Sequence, residues 1–165
     1  MIVIASSKKN KKLLNESEVL SELRTFLENS SMAKDICREN GIPISFLSGV
    51  PISFDDMKES AKTVNSYIYL NRKLSKKPMY IIKRYLIHEI THAVQHIAEP
   101  GASKKVKNKE YLDKDTEVEA FRNQISFQMK SEGPKKTKEY VDRLLDFHDL
   151  DGNERSRKKK ELLSE

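Results

Sequence analysis

The amino-acid sequence predicts an α+β domain, mostly helical, with one small sheet. Three observations carry that prediction. Apolar residues recur at three- and four-residue spacing in several separate stretches, the mark of helices with one buried face. A single block, Tyr67-Ile68-Tyr69-Leu70, is β-branched and aromatic throughout, as strands are. Gly and Pro stand at the ends of several helical blocks, as Gly41 and Pro43, Pro100-Gly101 and Gly133-Pro134.

Taken in order, residues 1–12 read as a polar lead-in. Leu13, Leu14, Val19, Leu20, Leu23, Phe26 and Leu27 then mark a first amphipathic helix ending near Asn29. Ala33 to Asn40 predicts a second, short helix stopped by Gly41 and Pro43. Residues 42–54 carry short-strand chemistry around Ser48-Gly49 and Pro51. Asp55 to Val64 is expected to be helical, and Tyr67–Leu70 to be a strand. A long helix follows from Pro78 to Ala98, where Pro100-Gly101 stops it. After a basic loop at 101–109, a helix capped by Asp113 or Asp115 presents Val118, Phe121, Ile125 and Met129. Gly133-Pro134 separates it from a last amphipathic helix bearing Val141, Leu144, Leu145 and Phe147. The expected organisation is the lead-in 1–12, a single domain over 13–148, and a basic flexible tail over 149–165.

Composition removes several classes. The chain has 165 residues, 37% of them hydrophobic and 34% charged, which suits one domain with one modest core. Apolar residues grouped in periodic blocks argue against a disordered chain. The apolar runs are a few residues long, against the roughly 18 that a membrane helix needs. The opening Met1-Ile2-Val3-Ile4-Ala5 is short, and its positive charge lies on the wrong side for a secretory signal. Cys37, the one cysteine, cannot pair within the chain and reads as a buried, inert thiol; a cytoplasmic location is expected. The formal net charge of +6 is spread over three runs: Lys8, Lys9, Lys11 and Lys12; Lys104, Lys105, Lys107 and Lys109; and Arg155, Arg157, Lys158, Lys159 and Lys160. No aromatic residues interleave with them, so nucleic acid is a possible partner but not the favoured one.

Chemistry is concentrated in Tyr85-Leu86-Ile87-His88-Glu89-Ile90-Thr91-His92-Ala93-Val94. On a helix His88 and His92 stand one turn apart on one face, so both imidazoles can address one ion. Glu89 is about 100° further round, beside such an ion rather than on it. There a carboxylate can take a proton from a water held at the metal.

His-Glu-x-x-His on a helix resembles the zinc helix of the zincin metallopeptidases. That resemblance implies a minimal zincin-like domain, Zn²⁺ as cofactor, His88 and His92 as ligands, and Glu89 as general base. The sequence after His92 lacks the Gly of the metzincin continuation, and His96, a further turn along, reads as a neighbour of the site or a surface residue. Similarity to gluzincins places the third ligand on the following helix, where Glu117-Val118-Glu119-Ala120 offers Glu117, with Glu119 as the alternate. The spacing is also similar to small ImmA/IrrE-type proteins, in which a strand ending in Asn precedes the zinc helix, as Tyr67–Asn71 does here. In zincins that strand is a sheet edge flanking the zinc helix, which implies that a protein or peptide substrate pairs along Tyr67–Leu70.

The implied activity is hydrolysis of peptide bonds, with Tyr111, Tyr140 and His148 as candidate donors to the oxyanion. Two other readings stand beside it: a metal-binding regulatory module that recognises a protein without cleaving it, and a DNA-associated protease similar to SprT-like proteins.

Overall fold

A computed structural model describes residues 13–100 and 111–164. The expected lead-in, the basic loop at 101–109 and their lysine runs lie outside the described residues. The fold is α+β, as predicted. Its elements are α1 (Glu16–Asn29), α2 (Ser31–Glu39), α3 (Phe46–Gly49), β1 (Ile52–Asp55), β2 (Ala61–Val64), β3 (Tyr67–Asn71), a 3-10 turn (Arg72–Lys76), α4 (Met79–Ala98), α5 (Asp115–Ser131), α6 (Pro134–Phe147) and α7 (Gly152–Leu163).

The N-terminal helices start where side-chain acceptors meet their free amides. Asn15 accepts from the Glu18 amide at the head of α1, and Ser30 from the Ala33 amide at the head of α2. Leu23 and Leu27 of α1 and Ile36 and Cys37 of α2 are buried with Ile82, Leu86 and Ile90 of α4 in one apolar cluster. Burial also raises the Cys37 thiol's pKa, which disfavours the reactive thiolate.

The sheet departs from expectation in a way that matters for the site. Its strand order is β1-β3-β2, with β1 parallel and β2 antiparallel to β3. The expected edge strand Tyr67–Leu70 is therefore the central strand, its backbone paired on both sides. Its alternation explains why: Ile68 and Leu70 are fully buried in the core, while Tyr67 and Tyr69 stack on the other face at 4.6 Å. Among the described residues, the edge strand beside the long helix is instead β2, in a segment expected to be helical. Asn65 and Ser66, both with positive φ, form the two-residue turn that folds β2 back against β3. Asn71 ends β3 and ties down the preceding loop, its amide donating to the Met57 and Glu59 carbonyls at 2.7 and 3.0 Å. Of the stretch expected to hold short strands, only Ile52–Asp55 is extended; Phe46–Gly49 is one turn of helix.

Two further corrections concern the C-terminal third. Neither Asp113 nor Asp115 caps α5: its cap residue is Lys114, with no side-chain cap bond, while Asp115 and Glu117 lie in its first turn and favour the helix dipole. The expected flexible tail is largely the helix α7. Leu150 and Leu162 are buried with Phe121, Ile125, Val141 and Leu145 in a second apolar cluster. Burying each such side chain contributes about 1.5–3 kcal/mol, enough to hold a 12-residue helix that is marginal alone. Several of its basic residues are paired within the fold as well. Lys158 is almost fully buried, 2.9 Å from both Asp113 and Glu161, Lys159 meets Asp142 at 2.8 Å, and Arg155 reaches Asp142 and Asp146. Much of this run's charge is thus neutralised within the fold rather than displayed to a polyanion. No helix among the described residues is long and apolar enough to cross a membrane.

Candidate metal centre

The long helix α4 supplies Ile82, Leu86, Ile87, Ile90, Ala93 and Val94 to the first apolar cluster, and its middle is buried on nearly every side. Ile87, Ile90, Thr91, Ala93 and Val94 are fully buried, and His88 and Glu89 are each 6% exposed. The one-turn spacing brings the His88 and His92 rings together, their Nε2 atoms 3.2 Å apart. α5 packs across this face and delivers Glu117, whose carboxylate oxygens lie 2.8 Å from His92 Nε2 and 3.4 Å from His88 Nε2. Phe121, one turn further along α5, meets the His88 ring edge-on at 4.5 Å.

These separations fit a shared cation. Ligands at 2.0–2.1 Å in a tetrahedral shell stand about 3.3–3.4 Å apart, close to the distances among these three side chains. One carboxylate oxygen of Glu117 is buried without a hydrogen-bond partner, and it is the oxygen facing His88. Two imidazole nitrogens and an unsatisfied carboxylate oxygen converging at a largely buried point are costly unless a cation sits among them. Among the described residues, His88, His92 and Glu117 are the group that could hold a metal ion. Glu119 is not part of that group: its carboxylate accepts from the Gln95 side chain at 2.8 Å.

Electrostatics describe what competes with a metal there. Burial disfavours the His92 imidazolium, but hydrogen bonding and attraction from Glu117, with Glu89 adding charge, raise its pKa above the ordinary imidazole value. Burial disfavours the Glu117 carboxylate too, but His88 and His92 outweigh it and hold its pKa well below the carboxylate range. In the metal-free protein a raised His92 pKa contributes stability that is present below its unfolded value and is lost as pH rises through the folded one. The lowered Glu117 pKa contributes stability that is lost as pH falls through its folded value. A proton and a metal therefore compete for His92 Nε2. If a divalent metal such as zinc is held there, its affinity is expected to fall by up to about tenfold per pH unit below the raised His92 pKa, beginning above the usual imidazole value of about 6.5. Competitive zinc titrations between pH 8 and 5.5 measure this, and an affinity flat across that range is incompatible with His92 as a ligand.

Glu89 does not join the three. Its carboxylate accepts from the Thr63 hydroxyl, which also lies 3.1 Å from the Glu89 carbonyl. Thr63 is on the edge strand β2, and Ser66 at the adjoining turn bonds the Ala93 carbonyl at 3.2 Å, so the hairpin is pinned along the helix that carries the motif. Two cavities meet beside Glu89. The larger, about 760 Å³, extends past His88 to Arg84, Tyr140, Leu144 and Phe147. The smaller, about 470 Å³, follows β2 from Ala61 to Asn65 and includes His92, His96 and Glu117. His96 is thus a groove wall residue.

Of the three candidate donors, Tyr111 borders both cavities. Burial, with the negative charges of Glu117 and Glu89, pushes its phenol well above the usual value, so it remains a proton donor. His148 is buried, and its ring stacks on Tyr111 at 5.2 Å and 12°. Tyr140 lines the larger cavity only. Its hydroxyl is tied to Gln124, the Arg84 guanidinium lies 5.0 Å from its ring, and its pKa is pushed up to about 12, mainly by burial. Sequence reasoning did not find Thr63 or Gln95. Gln95 had a local signal, three residues after His92 on the same helical face; Thr63 had none, because its partner is 26 residues away. Comparison of the chain with protein-family models, with curated proteins and with solved structures finds no match.

Proposed function

We propose that the chain is a zinc-dependent, zincin-like peptidase acting on protein or peptide substrates. One observation carries this reading: a buried His-His-Glu cluster lies beside a separate, hydrogen-bonded carboxylate, Glu89, at the meeting point of two cavities along a free strand edge. Two imidazoles and one carboxylate at near-tetrahedral separations suit zinc with a position left for water or substrate. Bound there, zinc would supply a Lewis acid that acidifies a water and polarises a carbonyl.

The chain's own residues account for the rest. A substrate backbone pairs with the outer edge of β2, Ala61–Val64, since no further strand lies beyond it among the described residues. The larger cavity, walled by Tyr85, Phe121, Leu144 and Phe147, accepts an apolar side chain. Glu89, oriented by Thr63, takes a proton from water as the water oxygen bonds to the scissile carbon. Tyr111 donates to the oxyanion that forms. Glu89 then returns the proton to the amine nitrogen as the C–N bond breaks, leaving a carboxylic acid and a free amine.

The test is to strip the protein with a chelator, restore one equivalent of zinc, and follow cleavage of a quenched-fluorescent peptide library and of an unfolded protein. Cleavage is expected to vanish and return with the metal. A fully zinc-loaded protein that cleaves neither substrate would be a metal-binding module and not a peptidase.

A further inference from the structure

We infer that Gln95 is the positioning residue that sets the metal-binding form of His92 and ties it to the turn bearing Glu117. This rests on His88, His92 and Glu117 being the metal site. The Gln95 side chain is only slightly exposed and is bonded at both ends. Its amide nitrogen lies 3.0 Å from the Thr116 carbonyl and 2.8 Å from a Glu119 carboxylate oxygen. A carbonyl and a carboxylate are acceptors only, so the end of Gln95 facing them must be the NH₂ group. Its oxygen is thereby turned toward His92 Nδ1, 2.9 Å away. An amide oxygen can only accept, so Nδ1 must carry the hydrogen. In the neutral ring the remaining lone pair then lies on Nε2, the nitrogen facing His88 Nε2 and Glu117.

Two acceptors on α5 thus determine the orientation of an amide on α4, and that amide determines the tautomer of a ligand. The same amide grips the residues at 116 and 119, on either side of Glu117. One side chain therefore prepares two of the three ligands before any ion arrives. That also gives Glu119 a role: it holds Gln95, which holds His92. Partners of this kind are typically worth about 10–100-fold in metal affinity.

Three variants of the full chain test this with zinc as the probe. Gln95→Leu keeps similar bulk and removes both ends, and is expected to weaken zinc binding by about 10–100-fold. Gln95→Glu keeps an acceptor for His92 but loses the donors to α5 and faces Glu119 with a like charge; it is expected to remain at least about tenfold weaker than wild type. Glu119→Ala, a partly exposed position suited to a variant that folds, is expected to weaken binding while leaving His88 and Glu117 in place. The readout independent of affinity is the ¹⁵N–¹H NMR signal of the His92 Nδ1–H in zinc-loaded protein, because without a metal Nε2 also faces an acceptor, Glu117 at 2.8 Å, and both ring nitrogens can carry hydrogen. Wild type is expected to show an Nδ1–H protected from solvent exchange, and Gln95→Leu one that exchanges freely. Wild-type zinc affinity in both Gln95→Leu and Glu119→Ala, or equal exchange of the Nδ1–H in wild type and Gln95→Leu, would overturn the assignment. Full affinity in Gln95→Glu alone would overturn the grip on α5. A wild-type chain that binds no zinc would instead remove the metal site itself.

Discussion

Glu89→Gln is expected to leave zinc affinity unchanged and to cut kcat for peptide hydrolysis by about 10²–10⁴-fold, the contribution of a positioned general base. The substitution is nearly isosteric and the Thr63 hydroxyl can still donate to the amide oxygen, so the local packing is retained. What disappears is the ability to accept a proton from water and hand it to the leaving amine. Metal content should be unaffected because Glu89 is outside the group formed by His88, His92 and Glu117. The discriminating measurement is activity per bound zinc. Full activity per zinc in this variant would remove Glu89 from the mechanism; loss of zinc together with activity would make Glu89 a ligand instead.

His92→Ala is expected to weaken zinc binding by more than the 10–100-fold typical of an outer partner, because it removes a direct ligand. His92 Nε2 is the shared neighbour of the other two members of the cluster, 3.2 Å from His88 Nε2 and 2.8 Å from a Glu117 oxygen. Its loss leaves the buried Glu117 carboxylate with less compensation, so the metal-free protein should also melt earlier near neutral pH. His96→Ala is the matched control. It lies one turn further along α4 and lines the smaller cavity without belonging to the cluster. Zinc affinity is expected to be kept there, and equal losses in the two variants would mean that α4 itself, not a ligand, had been disturbed.

The contrast between His92 and Glu117 shows where local pattern suffices. The spacing of His88 and His92 is a property of one continuous helix, so their convergence follows from 3.6 residues per turn once the helix is granted. Glu117 and Glu119 sit about 200° apart on a different helix, and choosing between them requires knowing which face of α5 meets α4. Burial supplies the answer: Glu117 lies on the side shared with Phe121 and Gln124, while Glu119 stays at the margin within reach of Gln95. The sheet shows the opposite limit. The apolar alternation of Tyr67–Leu70 identifies a strand but says nothing of what lies on either side of it. A central and an edge strand differ only in their neighbours, and the decisive neighbour, β2, lies in a polar stretch whose hairpin turn is Asn-Ser rather than a glycine-containing pair. The C-terminal helix was obscured for a related reason. A run rich in Arg and Lys resembles a solvated tail until Asp113, Asp142 and Asp146 are seen to face it.

By itself, then, the sequence determined the fold class, the long helix and the two histidines and carboxylate on it, because periodicity and motif spacing act over a single turn. Only the tertiary structure decided which carboxylate of α5 faces those histidines, which strand lies at the sheet edge beside them among the described residues, and that Tyr111, Thr63 and Gln95 belong beside them. Those decisions depend on contacts between elements, 26 residues apart for Thr63 and Glu89 and 21 for Gln95 and Thr116, where the energy comes from burial and hydrogen-bond satisfaction and leaves no local pattern in the chain.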